Sequence, residues 1–280
     1  MIDSPSNQLV KTLAGLSNIR RRREQRLFLV EGVRAVEDAL RAGRYPRIAL
    51  YDPDALAKTE RGSELVRALR RNARHIPNLQ EATERAIAGA SETQHPQGVV
   101  AAYPFVEWQA PTKQDRALVL ICDNVQDPGN LGTIMRAAEA AGVTSLVLTP
   151  LSVDVYNPKV VRAAMGAHFR LPTFPEVDWG DVPALLESAG VPPERVYATE
   201  AGAATEYDRV DWTGPAALVV SNEAHGLSAE ARRFAEGAGG FVSIPMAGGT
   251  ESLNAAIAAA VVLFEAARQR RIAAAPAVAR

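Results

Sequence analysis

Apolar positions change their period several times along this chain, and each change marks an element. Leu9, Leu13, Leu16 and Ile19 recur every three to four residues and predict one helix over 6–25. A compact α/β pattern follows: strand 27–30, helix 33–42, strand 47–51, helix 63–72, a short strand near 75–76 and strand 98–103. The stretch 104–116 carries two prolines, Trp108 and no clear period, which reads as a linker.

From Ala117 onward strands and helices alternate, over 117–122, 131–141, 145–149, 159–165, 170–174, 182–188, 196–199, 216–220, 229–235, 240–244 and 252–271. That alternation predicts a mainly parallel sheet with helices on both faces. Strands 117–122 and 216–220 are almost continuously apolar, as strands buried on both faces are. No internal repeat is visible. The expected organisation is an N-terminal domain (1–105), a linker (106–116), a second domain (117–272) and an Ala-rich tail (273–280).

Composition narrows the class. A chain of 280 residues suits two domains, and 47% hydrophobic with 22% charged residues is globular, not disordered. No apolar run reaches the length of a membrane span, and the start Met1-Ile2-Asp3-Ser4-Pro5 lacks the apolar core of a signal peptide. The single cysteine, Cys122, excludes a disulfide within the chain and reads as a small core residue, which fits a reducing cytoplasm. Histidines 75, 95, 168 and 225 are scattered without metal-ligand spacing, so no metal is expected.

Net charge is −1, but it is unevenly spread. Residues 1–80 hold 16 Lys/Arg against 9 Asp/Glu, whereas 81–280 hold 15 against 23. A basic module joined to an acidic one points to a polyanion on the N-terminal side. The densest cluster is Arg20, Arg21, Arg22 and Arg23, with Arg26 just beyond. Such a run is either a solvated helix face or an RNA contact; four consecutive arginines cannot share one helix face, which favours RNA phosphates.

The candidate chemistry lies at three strand-to-helix junctions. The first is Asp123-Asn124-Val125-Gln126-Asp127-Pro128-Gly129-Asn130, where Asn130 reads as a helix N-cap and Arg136 follows nearly two turns later. The second, Ser221-Asn222-Glu223-Ala224-His225-Gly226-Leu227, follows strand 216–220. The third, Ile244-Pro245-Met246-Ala247-Gly248-Gly249-Thr250-Glu251-Ser252-Leu253-Asn254, opens the last long helix. Each taken alone is also an ordinary capping loop, and an arginine two turns into a helix is usually solvated. Together they resemble a site, because ligands of open α/β sheets bind outside the strand carboxyl ends. No G-x-G-x-x-G or P-loop is present, so an ordinary nucleotide fold is not indicated.

These three segments, in this order over about 115–268, resemble the motifs of the SpoU (TrmH-like) family of RNA ribose 2′-O-methyltransferases, of the SPOUT class. Residues 26–32 and 93–101 are similar to the opening and closing strands of the substrate-binding domain often attached to it. Departures are Ser221 where Gly is usual, Ala224-His225 for Gly-Glu or Gly-Ser, and Ala137-Ala138 for Thr-Ala.

The resemblance implies an α/β fold: a knotted parallel sheet with helices on both faces, plus a smaller N-terminal α/β RNA-binding domain. It implies S-adenosylmethionine as methyl donor, held by Thr199, Glu200, Ala201, Ser221, Asn222, Glu223, Gly226, Ile244, Met246 and Leu253. It implies catalytic roles for Asn130, Arg136, Glu223, Ser252 and Asn254, with Arg136 at the acceptor hydroxyl, and a homodimer through the catalytic domain. The RNA-contacting residues are Arg20–Arg23 and Arg26. Ribosomal RNA is preferred to tRNA because a separate basic domain suits recognition of a folded RNA by shape and phosphates. The competing readings are a tRNA enzyme, a non-catalytic RNA-binding or ribosome-assembly protein on the same fold, and a small-molecule enzyme.

Overall fold

In the computed structural model, which describes residues 1–222 and 225–274, contacts divide the chain into two units. One is Met1–Glu107 with Asp154–Arg170; the other is Trp108–Val153 with the chain from Leu171 onward. The first opens on α1 (Gln8–Gly15) and α2 (Ile19–Gln25), where the apolar spacing predicted a single helix. Asn18 makes the break: its side-chain oxygen accepts from the N–H groups of Arg20 and Arg21 and starts a new helix.

Next come β1 (Leu27–Glu31), α3 (Val33–Arg41), β2 (Ile48–Tyr51), α4 (Pro53–Ala57), α5 (Glu60–Arg71), β3 (Asn78–Glu81), α6 (Glu84–Ala90) and β4 (Val99–Pro104). The sheet order is β1-β4-β2-β3, with β4 antiparallel to both its neighbours and β3 parallel to β2. The strand expected at 75–76 lies three residues later, after Pro77. As an edge strand of polar residues it has no apolar run to announce it. Helices α4 and α6 were not anticipated; Asp52 and Thr83 cap them, and both are short. Val10, Leu13, Leu16, Leu29, Leu50 and Ile87 form the core of this unit, each contributing about 1.5–3 kcal/mol by leaving water.

The second unit is a seven-stranded, all-parallel sheet, as the alternation requires. Its elements run β5 (Leu118–Asp123), α7 (Pro128–Ala141), β6 (Ser145–Leu148), then past α8 (Pro158–Ala164) to β7 (Thr173–Phe174), α9 (Val182–Ala189), β8 (Val196–Thr199), β9 (Thr205–Glu206), β10 (Ala216–Ser221), α10 (Ala229–Glu236), β11 (Gly240–Ser243) and α11 (Ala255–Ala274). The order β7-β6-β5-β10-β8-β11-β9 seats the two most apolar strands, β5 and β10, side by side in the middle. Helix α11 begins three residues later than its apolar pattern predicts, because Asn254 caps it by accepting from Ala256 and Ile257 N–H at 3.0 and 3.3 Å. It packs along α7, burying the small residues Ala255, Ala259 and Ala266. Near its end the buried Arg270 donates to the carbonyls of Trp212, Arg116, Gly214 and Ala117, and burial lowers its pKa to about 10. No helix among the described residues is long and apolar enough to cross a membrane.

Sequence order puts α8 with the second domain, but its segment, Asp154–Arg170, packs within the first unit. Tyr156 stacks on Phe105 with ring centroids 4.1 Å apart and lies 4.7 Å from Phe28. Phe169 meets Tyr103 at 4.9 Å. These are contacts between residues far apart in the chain, which no local periodicity encodes. His168 sits beside them, buried, with Nε2 2.8 Å from the Val155 carbonyl, and burial lowers its pKa to about 4.

Candidate active site

Strands β10, β8 and β11 are adjacent and parallel, so their carboxyl ends emerge together. A cavity of about 590 Å3 opens at that edge, lined by 199–202 after β8, 220–222 at the end of β10, 242–246 after β11 and 250–253 before α11. Its volume and its position at the strand carboxyl ends are those of a ligand site. Ile244, Met246 and Leu253 give it half-buried apolar walls. Arg232 of α10 closes one side, ion-paired with Glu200 and lying 5.3 Å from the ring centre of Phe241.

Hydrogen bonds from the end of β5 hold the second loop at both ends. Asn124 takes a left-handed conformation (φ +55°), which asparagine tolerates, and Thr149 Oγ1 accepts from its N–H at 2.9 Å. The Asn124 carbonyl then accepts from Asn222 Nδ2 at 3.3 Å. At the far end of the loop, the fully buried Asp123 accepts from Ser228 N–H at 2.7 Å, Ser228 Oγ at 3.0 Å and Trp179 Nε1 at 3.2 Å. Between them Gly226 donates to the Asn222 carbonyl at 2.9 Å with φ +64°, a turn that suits glycine. The third loop is tied to the first: Asn254 Nδ2 donates to Asn130 Oδ1 at 3.0 Å. The second and third junctions line the cavity, and the first is bonded to both of them.

Every described residue assigned from sequence to the cofactor lines this cavity: Thr199, Glu200, Ala201, Ser221, Asn222, Gly226, Ile244, Met246 and Leu253. Ser252 lines it too. Glu223 and Ala224 lie outside the described residues, as does the tail from 275. Asn130, Arg136 and Asn254 do not line the cavity; Asn254 adjoins its rim, and its bond brings Asn130 there. Arg136 is exposed on α7, six residues beyond Asn130 and about 9 Å further along the axis, without an ion pair among the described residues.

One local assignment needs correction. The N-cap of α7 is Asp127, whose Oδ1 accepts from Asn130 N–H at 2.7 Å. Pro128 occupies the first helical position, which moves the helix start back by three residues. Asn130 therefore sits in the first turn with its side chain available to Asn254. Sequence reasoning also missed Arg232, Asp123 and Thr149. Asp123 had a readable signal, an acid ending a six-residue buried strand; Arg232 on an amphipathic helix had none.

The arginine cluster divides. Arg20, Arg21, Arg23 and Arg26 are exposed, but Arg22 is only 2% exposed and is not available to RNA. Its guanidinium donates to the carbonyls of Leu16 and Ser17 at 2.7 Å and pairs with Asp154 at 2.6 Å. Within α2 the step of about 100° between successive residues puts Arg22 on the packed side, while Arg20, Arg21 and Arg23 face outward.

Comparison with known proteins agrees with this geometry. The family model described as SpoU rRNA Methylase matches residues 117–264, more than half of the chain, and an MRM3-like substrate binding domain matches residues 7–101. The chain belongs to the SpoU rRNA methylase family. It is 34% identical to the mitochondrial rRNA methyltransferase 3 of Mus musculus over 90% of this chain and 69% of that one. It is 31% identical to a 23S rRNA guanosine 2′-O-methyltransferase of Bacillus subtilis over 94% and 97%. The fold matches an AdoMet-bound rRNA methyltransferase from Sinorhizobium meliloti with TM-score 0.81 and 30% identity, covering 95% of this chain and 97% of that one. As a SpoU methylase, this protein is an S-adenosylmethionine-dependent RNA methyltransferase.

Proposed function

We propose that this SpoU methylase transfers a methyl group to the 2′-hydroxyl of a ribose in ribosomal RNA, of the 23S type in preference to tRNA. The observation that carries the reading is one cavity at the carboxyl ends of β8, β10 and β11, lined by the second and third junctions, with the first junction bonded to both. The donor set fits S-adenosylmethionine: apolar Ile244, Met246 and Leu253 suit an adenine ring, and loop backbone at 199–202 and 244–246 can read its edge. S-adenosylmethionine supplies an electrophilic methyl on a sulfonium.

The protein's task is to hold an acceptor oxygen in line with that methyl and to help remove its proton. Arg136 is assigned to the acceptor side; its exposure, and the absence of an ion pair among the described residues, on the helix that also carries Asn130 support that role. A guanidinium is a forked donor and a poor proton acceptor, so its role is to orient the ribose hydroxyl or the neighbouring phosphate. Asn130 and Asn254 fix the third loop against α7, and Ser252 meets the acceptor from the cavity rim. Glu223 is assigned to orienting Arg136.

The working unit is a homodimer through the catalytic domain. Ile257 and Phe264, two turns apart on α11, are 53% and 51% exposed, an apolar pair that a second copy would cover. The family's knotted threading is part of the same reading, supported by the insertion of β10 between β5 and β8. The reducing cytoplasm is the compartment that the lone buried Cys122 supports. The test is a map of ribose methylation in rRNA from cells with and without the protein. One 2′-O-methyl lost from large-subunit rRNA is expected; an unchanged rRNA map with a methyl missing from tRNA would overturn the substrate assignment.

A further inference from the structure

A second cavity, of about 330 Å3, lies at one end of the four-stranded sheet of the first unit. The loop 43–47 before β2, residues 75–77 before β3 and residues 103–106 at the end of β4 enclose it, with Phe169 in the wall. Its chemistry differs from that of the first. Tyr45, His75, Tyr103, Phe105 and Phe169 supply aromatic rings, Arg44 and Arg47 supply cations, and no Asp or Glu lines it.

Two features suggest what it takes. Tyr45 and the exposed His75 are stacked, with centroids 4.6 Å apart and planes at 22°, so a flat π surface stands at the mouth. Arg74 donates to His75 Nε2 at 2.9 Å and Arg26 lies 5.6 Å from the ring centre of Phe105, which adds two exposed cations beside the lining arginines.

Aromatic faces beside arginines are how proteins hold an unstacked base of single-stranded RNA. A lone phosphate would not need five rings, and an apolar ligand would not need the arginines. The volume suits one nucleoside and is too small for a helix. We propose that this cavity receives one unstacked nucleobase of the RNA substrate, stacked on the Tyr45–His75 pair, with its flanking phosphates on Arg47 and Arg44. The inference rests on the RNA-methylation reading and adds a base-stacking contact remote in sequence from the three motifs.

The test uses the full-length protein and an unmodified large-subunit rRNA transcript. Tyr45→Ala should weaken binding by about tenfold, the worth of one stacked base, and leave the salt dependence unchanged because stacking releases no counterions. Arg47→Ala should weaken binding and reduce the salt slope by about one phosphate contact. Tyr103→Phe is the control: it removes a hydroxyl that is shielded from solvent and has no partner among the described residues, so melting temperature and RNA affinity should both hold. Cofactor affinity should be unchanged in all three. Wild-type RNA affinity in Tyr45→Ala and Arg47→Ala would overturn the pocket and leave the methyltransferase reading standing, as would a wild-type protein that methylates rRNA with no contribution from these residues. Absence of rRNA binding by the wild type would overturn the pocket as well. Binding that depends on Tyr45 without any methyl transfer would overturn the functional reading alone.

Discussion

Replacing Arg22 by alanine should cost the first unit about 3 kcal/mol and should not act through lost RNA contact. In the folded protein its guanidinium is 2% exposed and Asp154 is 15% exposed. Removing one partner of a buried pair typically costs about 3–5 kcal/mol, because the other charge stays desolvated without compensation. Asp154 keeps some access to water and Ser17 is exposed, so the lower end applies. The orphaned Leu16 carbonyl, which is buried, adds to the penalty without summing simply. A loss of this size lowers the melting midpoint by on the order of 10 °C. The three tryptophans, Trp108, Trp179 and Trp212, all belong to the second unit, so indole fluorescence would not follow the change. Amide hydrogen exchange would: protection should fall across α2 and 154–170, and stay unchanged in β5 and β10. Arg20→Ala is the matched control, since its pair with Glu24 is exposed and is worth at most about 0.5 kcal/mol. If Arg22→Ala cost less than about 1 kcal/mol and left exchange across 154–170 unaltered, the buried-pair argument would be wrong, and Arg22 would return to the RNA-contacting set.

Changing Arg20, Arg21 and Arg23 together to serine should do the opposite: stability within about 1 kcal/mol of wild type, weaker rRNA binding and a flatter salt dependence; an unchanged slope would make these side chains a solvated face. His168, with its pKa lowered to about 4, binds a proton in the unfolded chain below about 6.5 but not in the folded one. Stability of the first unit is therefore complete above about 6.5 and falls with pH below it, by about 2 kcal/mol between pH 7.5 and 5. Urea midpoints of wild type and His168→Phe at the two pH values should diverge by that amount, and equal pH slopes would refute the assignment. Asn254→Ser keeps an acceptor to cap α11 but lacks the amide that donates to Asn130, so stability should be retained while turnover drops; a normal rate would show that the Asn254–Asn130 bond is not needed.

What was legible in the chain follows from what local pattern encodes. The apolar runs of β5 and β10 announce a parallel sheet, because strands buried on both faces carry no polar alternation. The loops at strand carboxyl ends announce a site: the described residues assigned to the cofactor line one cavity, whereas Asn130, Arg136 and Asn254 lie outside its lining. Other features depend on partners remote in the chain. Arg22 turns inward because Asp154 awaits it, 132 residues away, and α8 joins the first unit because Tyr156 meets Phe28 and Phe105. The polar edge strand β3 carries no apolar signal. At the start of α7, two residues able to cap stand three apart, and only the proline between them favours Asp127.

The central claim is that a methyl from S-adenosylmethionine, bound at the ends of β8, β10 and β11, passes to a ribose hydroxyl held on the Arg136 side. Purified wild type and Arg136→Ala, given methyl-labelled S-adenosylmethionine and unmodified large-subunit rRNA, test it in one assay. Wild type should place label at a single ribose, resistant to alkaline cleavage; Arg136→Ala should bind the donor within about twofold of wild type and lose at least about a hundredfold in transfer. Label on a base, or near-normal transfer by Arg136→Ala, would contradict the account.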